Sequence, residues 1–174
     1  YRYYTTNCRR IFLSNPVEII RSSFIRPEDL HYYRNIGIDS FKLIDRNKPT
    51  DWIKNAIKAY AEEKYDGNLA DLISLFSWYG CSGEPELIPF IETESILELQ
   101  TLQSLIPYIY IDNKALDGFL NGFLERRCEE LICDTECTYC KEWAVKAIKV
   151  DEGKKAIVLK NLDILNRRME LQKF

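Results

Sequence analysis

The apolar positions of this chain change period along its length, and the change predicts strands alternating with helices. Val17-Glu18-Ile19-Ile20 is a short apolar run after Pro16, fit for a buried strand. Residues 22–26 read as a loop. Pro27 then stands at a first helical position, with Glu28 and Asp29 where acids meet the positive end of a helix. Gly37 is placed to end that helix, and Ile38-Asp39-Ser40-Phe41-Lys42-Leu43-Ile44 follows as a second strand. Strand, loop, helix, glycine, strand is the order of a βαβ unit with parallel strands, so the expected fold class is α/β.

A second helix is signalled by Pro49-Thr50-Asp51, with Thr50 as N-cap and Trp52, Ile53, Ala56, Ile57 and Tyr60 on one face. It should end near Tyr65-Asp66-Gly67. Asn68 can cap a short helix over Leu69, Leu72, Ile73 and Phe76. Gly80, Gly83, Pro85 and Pro89 make residues 77–89 an irregular connection. Residues 94–105 carry a helical pattern that Pro107 stops, and Tyr108-Ile109-Tyr110-Ile111 looks like a brief strand. Asp112 or Asn113 can cap a helix whose face is Leu116, Phe119, Leu120 and Phe123. A further helix is expected over 141–150, with Trp143, Ala144, Ala147 and Ile148 turned one way. After a break at Asp151-Glu152-Gly153, Val158, Leu162, Leu165 and Met169 form the stripe of a last helix.

Composition makes a folded core the expectation: 46% of the 174 residues are hydrophobic, 29% are charged, and only 7 are Gly and 6 Pro. The net charge of −3 gives no overall basic field to hold a nucleic-acid backbone. Neither a run of eighteen apolar residues nor a signal-peptide layout is seen, which points to the cytoplasm and away from a membrane. The chain starts at Tyr1 without a methionine, and its first residues read as the inside of something longer.

Chemistry concentrates in residues 128–140, where Cys128, Cys133, Cys137 and Cys140 place four of the six cysteines at spacings of four, three and two intervening residues. Short turns at this spacing let four thiols converge on one metal. One tight cluster and two isolated cysteines do not make the dispersed framework of a secreted disulfide protein. Both an iron–sulfur cluster and a structural zinc accept four thiolates. Zinc knuckles more often carry two C-x2-C pairs and this stretch has one, Cys137 with Cys140, which favours iron–sulfur and keeps zinc as the alternative. Cys8 and Cys81 read as buried small residues, although Cys8 beside Arg9 and Arg10 could belong to a second cluster.

Phe24-Ile25-Arg26-Pro27-Glu28-Asp29-Leu30, then residues 37–46, then Ala59-Tyr60, resemble the C-terminal part of the barrel in the collagenase-like U32 peptidase family. The likeness spans about residues 17–65. Asp45 stands where that family usually has Gly before the Arg. The resemblance implies a partial (β/α) TIM barrel, completed by a second chain or a missing N-terminal region, because a whole barrel needs about 250 residues. It divides the chain into βα units of a barrel-like body at 1–76, an irregular connection at 77–112, and a helical cysteine-cluster segment at 113–174. Members of the family include peptidases, and others that hold an iron–sulfur (4Fe–4S) cluster and support hydroxylation of tRNA or quinone precursors.

Lys42 and Arg46 are the candidate substrate-binding residues, at the end of an expected barrel strand where such folds place their chemistry. They would hold a carboxylate or phosphate. The chain's one histidine, His31, has no evident nucleophile, so a hydrolytic triad is unsupported. The expected function is redox-linked modification of a peptide, RNA or small metabolite. A non-catalytic zinc-stabilised interaction module and a peptidase-related subunit are the alternatives.

Overall fold

The computed structural model describes residues 10–44, 48–73 and 109–171. Residues 10–14 form a helical turn, α1. Helix α2 (Val17–Arg21) follows, then a 3-10 turn (Pro27–Asp29) that runs into α3 (Leu30–Asn35). Next come α4 (Thr50–Ala61) and α5 (Leu69–Leu72). Strand β1 (Ile109–Ile111) leads through a 3-10 turn (Lys114–Leu116) to α6 (Asn121–Glu125). A third 3-10 turn (Cys128–Glu130) precedes α7 (Tyr139–Ala147), β2 (Ile148–Val150) and α8 (Glu152–Leu171).

The strands β1 and β2 pair antiparallel, with Ile109 opposite Val150 and Ile111 opposite Ile148. One core joins both halves of the chain: Ile19 and Ile20 of α2, Leu69 and Leu72 of α5, Ile109 and Ile111 of β1, and Ala144 and Ala147 of α7 are buried together. Small residues on α7 let α2 approach it closely, and the two helices pack against each other.

Several local expectations hold. Pro27 opens its turn, and Gly37, at φ +91°, ends α3 in a left-handed conformation that only glycine takes without strain. The Asn68 side chain caps α5 by accepting from the Ala70 amide at 3.2 Å. It also accepts from the Ile111 amide at 2.8 Å and donates to the Ile109 carbonyl, so one amide side chain ties α5 to β1. Helix α4 starts at Thr50, with Pro49 in the cap position one residue before the expected cap, and buries Ala56 and Ala59 while Ile57 stays exposed.

Other expectations are corrected. Val17–Arg21 is a helix and not a strand, because three apolar residues in a run of four do not define a period. The helical turn sets Glu18 and Arg21 on one side, paired at 2.8 Å. Residues 38–44 have no regular structure, since a strand needs a neighbour for its amides and carbonyls and none lies beside them among the described residues. The parallel βαβ unit and barrel are therefore not formed among the described residues, and the architecture seen is helices around a small antiparallel sheet. The helix expected to start at Asp112 or Asn113 is interrupted by Gly118 at φ +80°. The one expected through residue 150 stops at Ala147, where Ile148-Lys149-Val150 leaves to pair with β1. The expected helix at 94–105, the connection at 77–89 and Phe76 lie outside the described residues, as do the side chains of Leu162, Leu165 and Met169.

Candidate functional site: four thiols at the end of a groove

A buried polar junction holds the segment after α2 to the segment after β1. Arg26 is 1% exposed and donates through Nη1 to the Asn113 carbonyl at 3.1 Å. Its Nε lies 3.2 Å from Asp29 Oδ2, within ion-pair range but without hydrogen-bond alignment. Glu28 accepts from the Tyr65 amide at 2.7 Å and from the Asn113 side-chain amide at 2.9 Å, and that amide also donates to the Tyr65 carbonyl. Tyr60 donates to the Ile25 carbonyl at 2.7 Å, and burial, with the Glu28 charge, pushes its hydroxyl up to about 12. Burial raises the Asp29 carboxyl above its ordinary range, with Arg26 opposing. Charges enclosed this way are tolerated only when they are paired and hydrogen-bonded.

Beyond this junction lie the cysteines, all four with free thiols. The loop that carries them is built from its own backbone. Asp134 donates its amide to the Cys137 carbonyl at 3.0 Å, the amides of Glu136 and Cys137 converge on the Ile132 carbonyl, and Glu136 Oε2 accepts from the Ile132 amide at 2.7 Å. Asp134 sits at φ +68°, a left-handed conformation that aspartate tolerates better than most residues. The turn brings Cys133 beside Cys137, and Cys140 lies in the first turn of α7.

An aromatic group fixes the floor of the loop. Tyr139 stacks on Phe119 at 5.7 Å, meets Phe123 and Trp143 edge-on, and donates to the Phe119 carbonyl at 2.8 Å. Arg126 covers its ring at 4.5 Å. The close approach requires glycine at 122, where a Cβ would stand 2.3 Å from the Tyr139 ring.

All four cysteines line one small cavity of about 10 Å³, close to the volume that holds a single water. Burial raises the Cys140 thiol; Arg21 opposes this, and the other three thiols add to it. Among the described residues no group of three or more His, Cys, Asp or Glu is arranged to hold a metal ion, so the thiols share a cavity without converging on one point. Their chemistry nonetheless suits a soft metal. The carboxylates between Cys133 and Cys137 are engaged, Asp134 by Arg21 at 2.7 Å and Glu136 by the Ile132 amide, which leaves sulfur as the open donor set there.

Cys128, Cys133 and Cys140 also line a much larger groove of about 1060 Å³, whereas Cys137 does not. Phe24, Phe41, Trp52 and Phe119 line it with apolar surface, and Lys42 and Arg21 contribute cations. Lys42 is thus brought to the same groove as three thiols. Arg46, Cys8 and Cys81 lie outside the described residues. His31 is exposed, its Nδ1 donating to the Glu28 carbonyl at 2.8 Å. Sequence reasoning missed Arg21, Asp134 and Asn113. The signal for Asp134 was its place between two cysteines; Arg21 and Asn113 gave none.

A curated protein from Methanocaldococcus jannaschii, named an uncharacterized protease, is 36% identical to this chain over 148 residues. The aligned part is 85% of this chain and 35% of that protein, so the chain spans about a third of the relative's length. No family model matches the chain, and no solved structure matches it. No helix among the described residues is long and apolar enough to cross a membrane.

Proposed function

We propose that this chain is part of a U32-like protein in which Cys128, Cys133, Cys137 and Cys140 hold an iron–sulfur cluster at the end of a substrate groove. The observation that carries this reading is the overlap of two cavities: three of the four thiols line both the small cavity and the groove. A purely structural metal gains nothing from standing open to a large apolar groove, while a redox centre needs its substrate nearby. When bound, such a cluster supplies one-electron chemistry. The chain's own residues position the substrate: aromatic walls exclude water, and Lys42 holds an anionic group, joined by Arg46 if the resemblance carries over. The reaction class is redox-linked modification of a peptide, RNA or small metabolite.

Anaerobic purification tests this directly. Brown protein with iron and acid-labile sulfide in equal amounts is expected, and Cys137→Ser should bleach it without touching the groove wall. Colourless protein with one zinc per chain would replace the redox reading with that of a zinc-stabilised interaction module. A peptidase-related role draws support from the relative's printed name. Against it, the one histidine points its Nδ1 at a backbone carbonyl and has no nucleophile bonded to it among the described residues.

A further inference from the structure

We propose that Arg21 is the positioning residue of the cysteine site, clamping the loop between Cys133 and Cys137 and setting a positive charge beside the thiolates that a metal requires. The inference rests on the reading of the four thiols as metal ligands. Arg21 is the last residue of α2, and α2 packs against α7, the helix that carries Cys140. Nη1 is held by Glu18 at 2.8 Å and Nη2 by Asp134 Oδ1 at 2.7 Å, a bond that spans 113 residues of sequence. One guanidinium thus joins the core helix to the exposed loop, at the left-handed Asp134 that sets the loop's turn.

Arg21 also lines both cavities, small and large, together with Cys128, Cys133 and Cys140. Its side chain is 19% exposed, and its Nε–H is enclosed without a hydrogen-bond partner. Four thiolates around a divalent ion leave an excess of two negative charges, and a neighbouring cation with a donor to spare offsets it. Groups that orient ligands and balance charge around a metal commonly change its affinity by about 10- to 100-fold. The other arginine on the small cavity, Arg126, lies over the Tyr139 ring and bonds no residue of the loop between the cysteines. Lysine in place of Arg21 would keep the charge but not the two-pronged hold.

The test is titration of the reduced chain with Co²⁺, reading the thiolate-to-cobalt charge-transfer band. Wild type should give a tetrahedral thiolate spectrum. Arg21→Met should bind about 10- to 100-fold more weakly, and Arg21→Lys should recover part of the loss. Asp134→Ala, at an exposed side chain whose loss leaves the core intact, should weaken binding similarly, and the double variant should be no weaker than the worse single. Cobalt affinity in Arg21→Met or Asp134→Ala within about twofold of wild type would overturn the role of Arg21 while leaving the metal site standing. Should Arg21→Met fail to fold, Asp134→Ala and Arg21→Lys decide. No thiolate band in wild type would sink the metal reading itself.

Discussion

Two arginines five positions apart both tie the N-terminal elements to the segment after β1, and they do so in opposite ways. Arg26 is sealed: 1% exposed, it bonds a carbonyl 87 residues away and lies within 4 Å of the carboxylates of Glu28, Asp29 and Asp117. Arg21 is at the rim: it bonds a carboxylate that is half exposed, in a loop whose thiols open on a groove. A sealed charge enclosed by carboxylates and bonded to a distant carbonyl fixes the fold. A rim charge beside thiols that open on a groove belongs to a site. The same residue type therefore reads as structure or as chemistry according to what surrounds it.

Removing the sealed arginine should have the largest effect. Arg26→Met leaves Asp29 enclosed without its cation and the Asn113 carbonyl without its donor, and breaking such a pair costs about 3 to 5 kcal/mol. Urea unfolding followed by circular dichroism would read this as a large drop in midpoint with little change in slope. The fraction that stays folded should bind Co²⁺ as wild type does. A loss of metal affinity without a loss of stability would reverse the assignment of the two arginines.

Gly122→Ala probes the boundary between the two regions. The added Cβ would push on the Tyr139 ring, whose hydroxyl is bonded to the Phe119 carbonyl and which is packed among Phe119, Phe123 and Trp143. Overpacking of this kind costs about 1 to 3 kcal/mol. Because Tyr139 precedes Cys140, the variant should lose stability and metal affinity together. Full cobalt affinity in a destabilised protein would show that the aromatic floor supports the fold alone.

What could be read from sequence follows the same division. Features whose cause lies within a few residues were legible: Gly37 past α3, Pro27 opening a turn, Asn68 capping α5, the Ile109–Ile111 strand and the spacing of the four cysteines. Features whose cause lies far along the chain were not. Ile148–Val150 continues a helical pattern, and it becomes a strand because Ile109–Ile111 offers it a ladder. Residues 17–20 read as a strand because Val and Ile favour strands in isolation, and packing of the helix Val17–Arg21 against α7 outweighs that preference. The groove that gives Lys42 a setting, and the bond from Arg21 to Asp134, are assembled only by the tertiary fold.

Asn68 offers a smaller test, at the junction of α5 and β1. Asn68→Ala removes the cap on α5 and two bonds to β1, for a loss of about 1 kcal/mol from the cap alone. Hydrogen exchange should quicken first at the Ala70 and Ile111 amides, with cobalt affinity unchanged. Equal quickening in α7 would mean that the two regions are not separable.

The smallest effect is a slope with pH, and its sign follows from Asp29. Burial raises this carboxyl above its value in the unfolded chain, even with Arg26 opposing. Between the unfolded and the folded pKa the native state binds more protons than the unfolded one, so stability falls as pH rises through that window. The cost of burying the charge is fully present above the folded pKa and is relieved as pH falls toward the ordinary carboxylate range. Asp29→Asn removes this contribution. The stability of wild type minus that of the variant should therefore increase on acidification from neutral pH, measured as urea midpoints at matched ionic strength. A difference that shrinks on acidification would mean that Arg26 outweighs burial at Asp29, and that the sealed junction is held by its charge pair more than it is burdened by it.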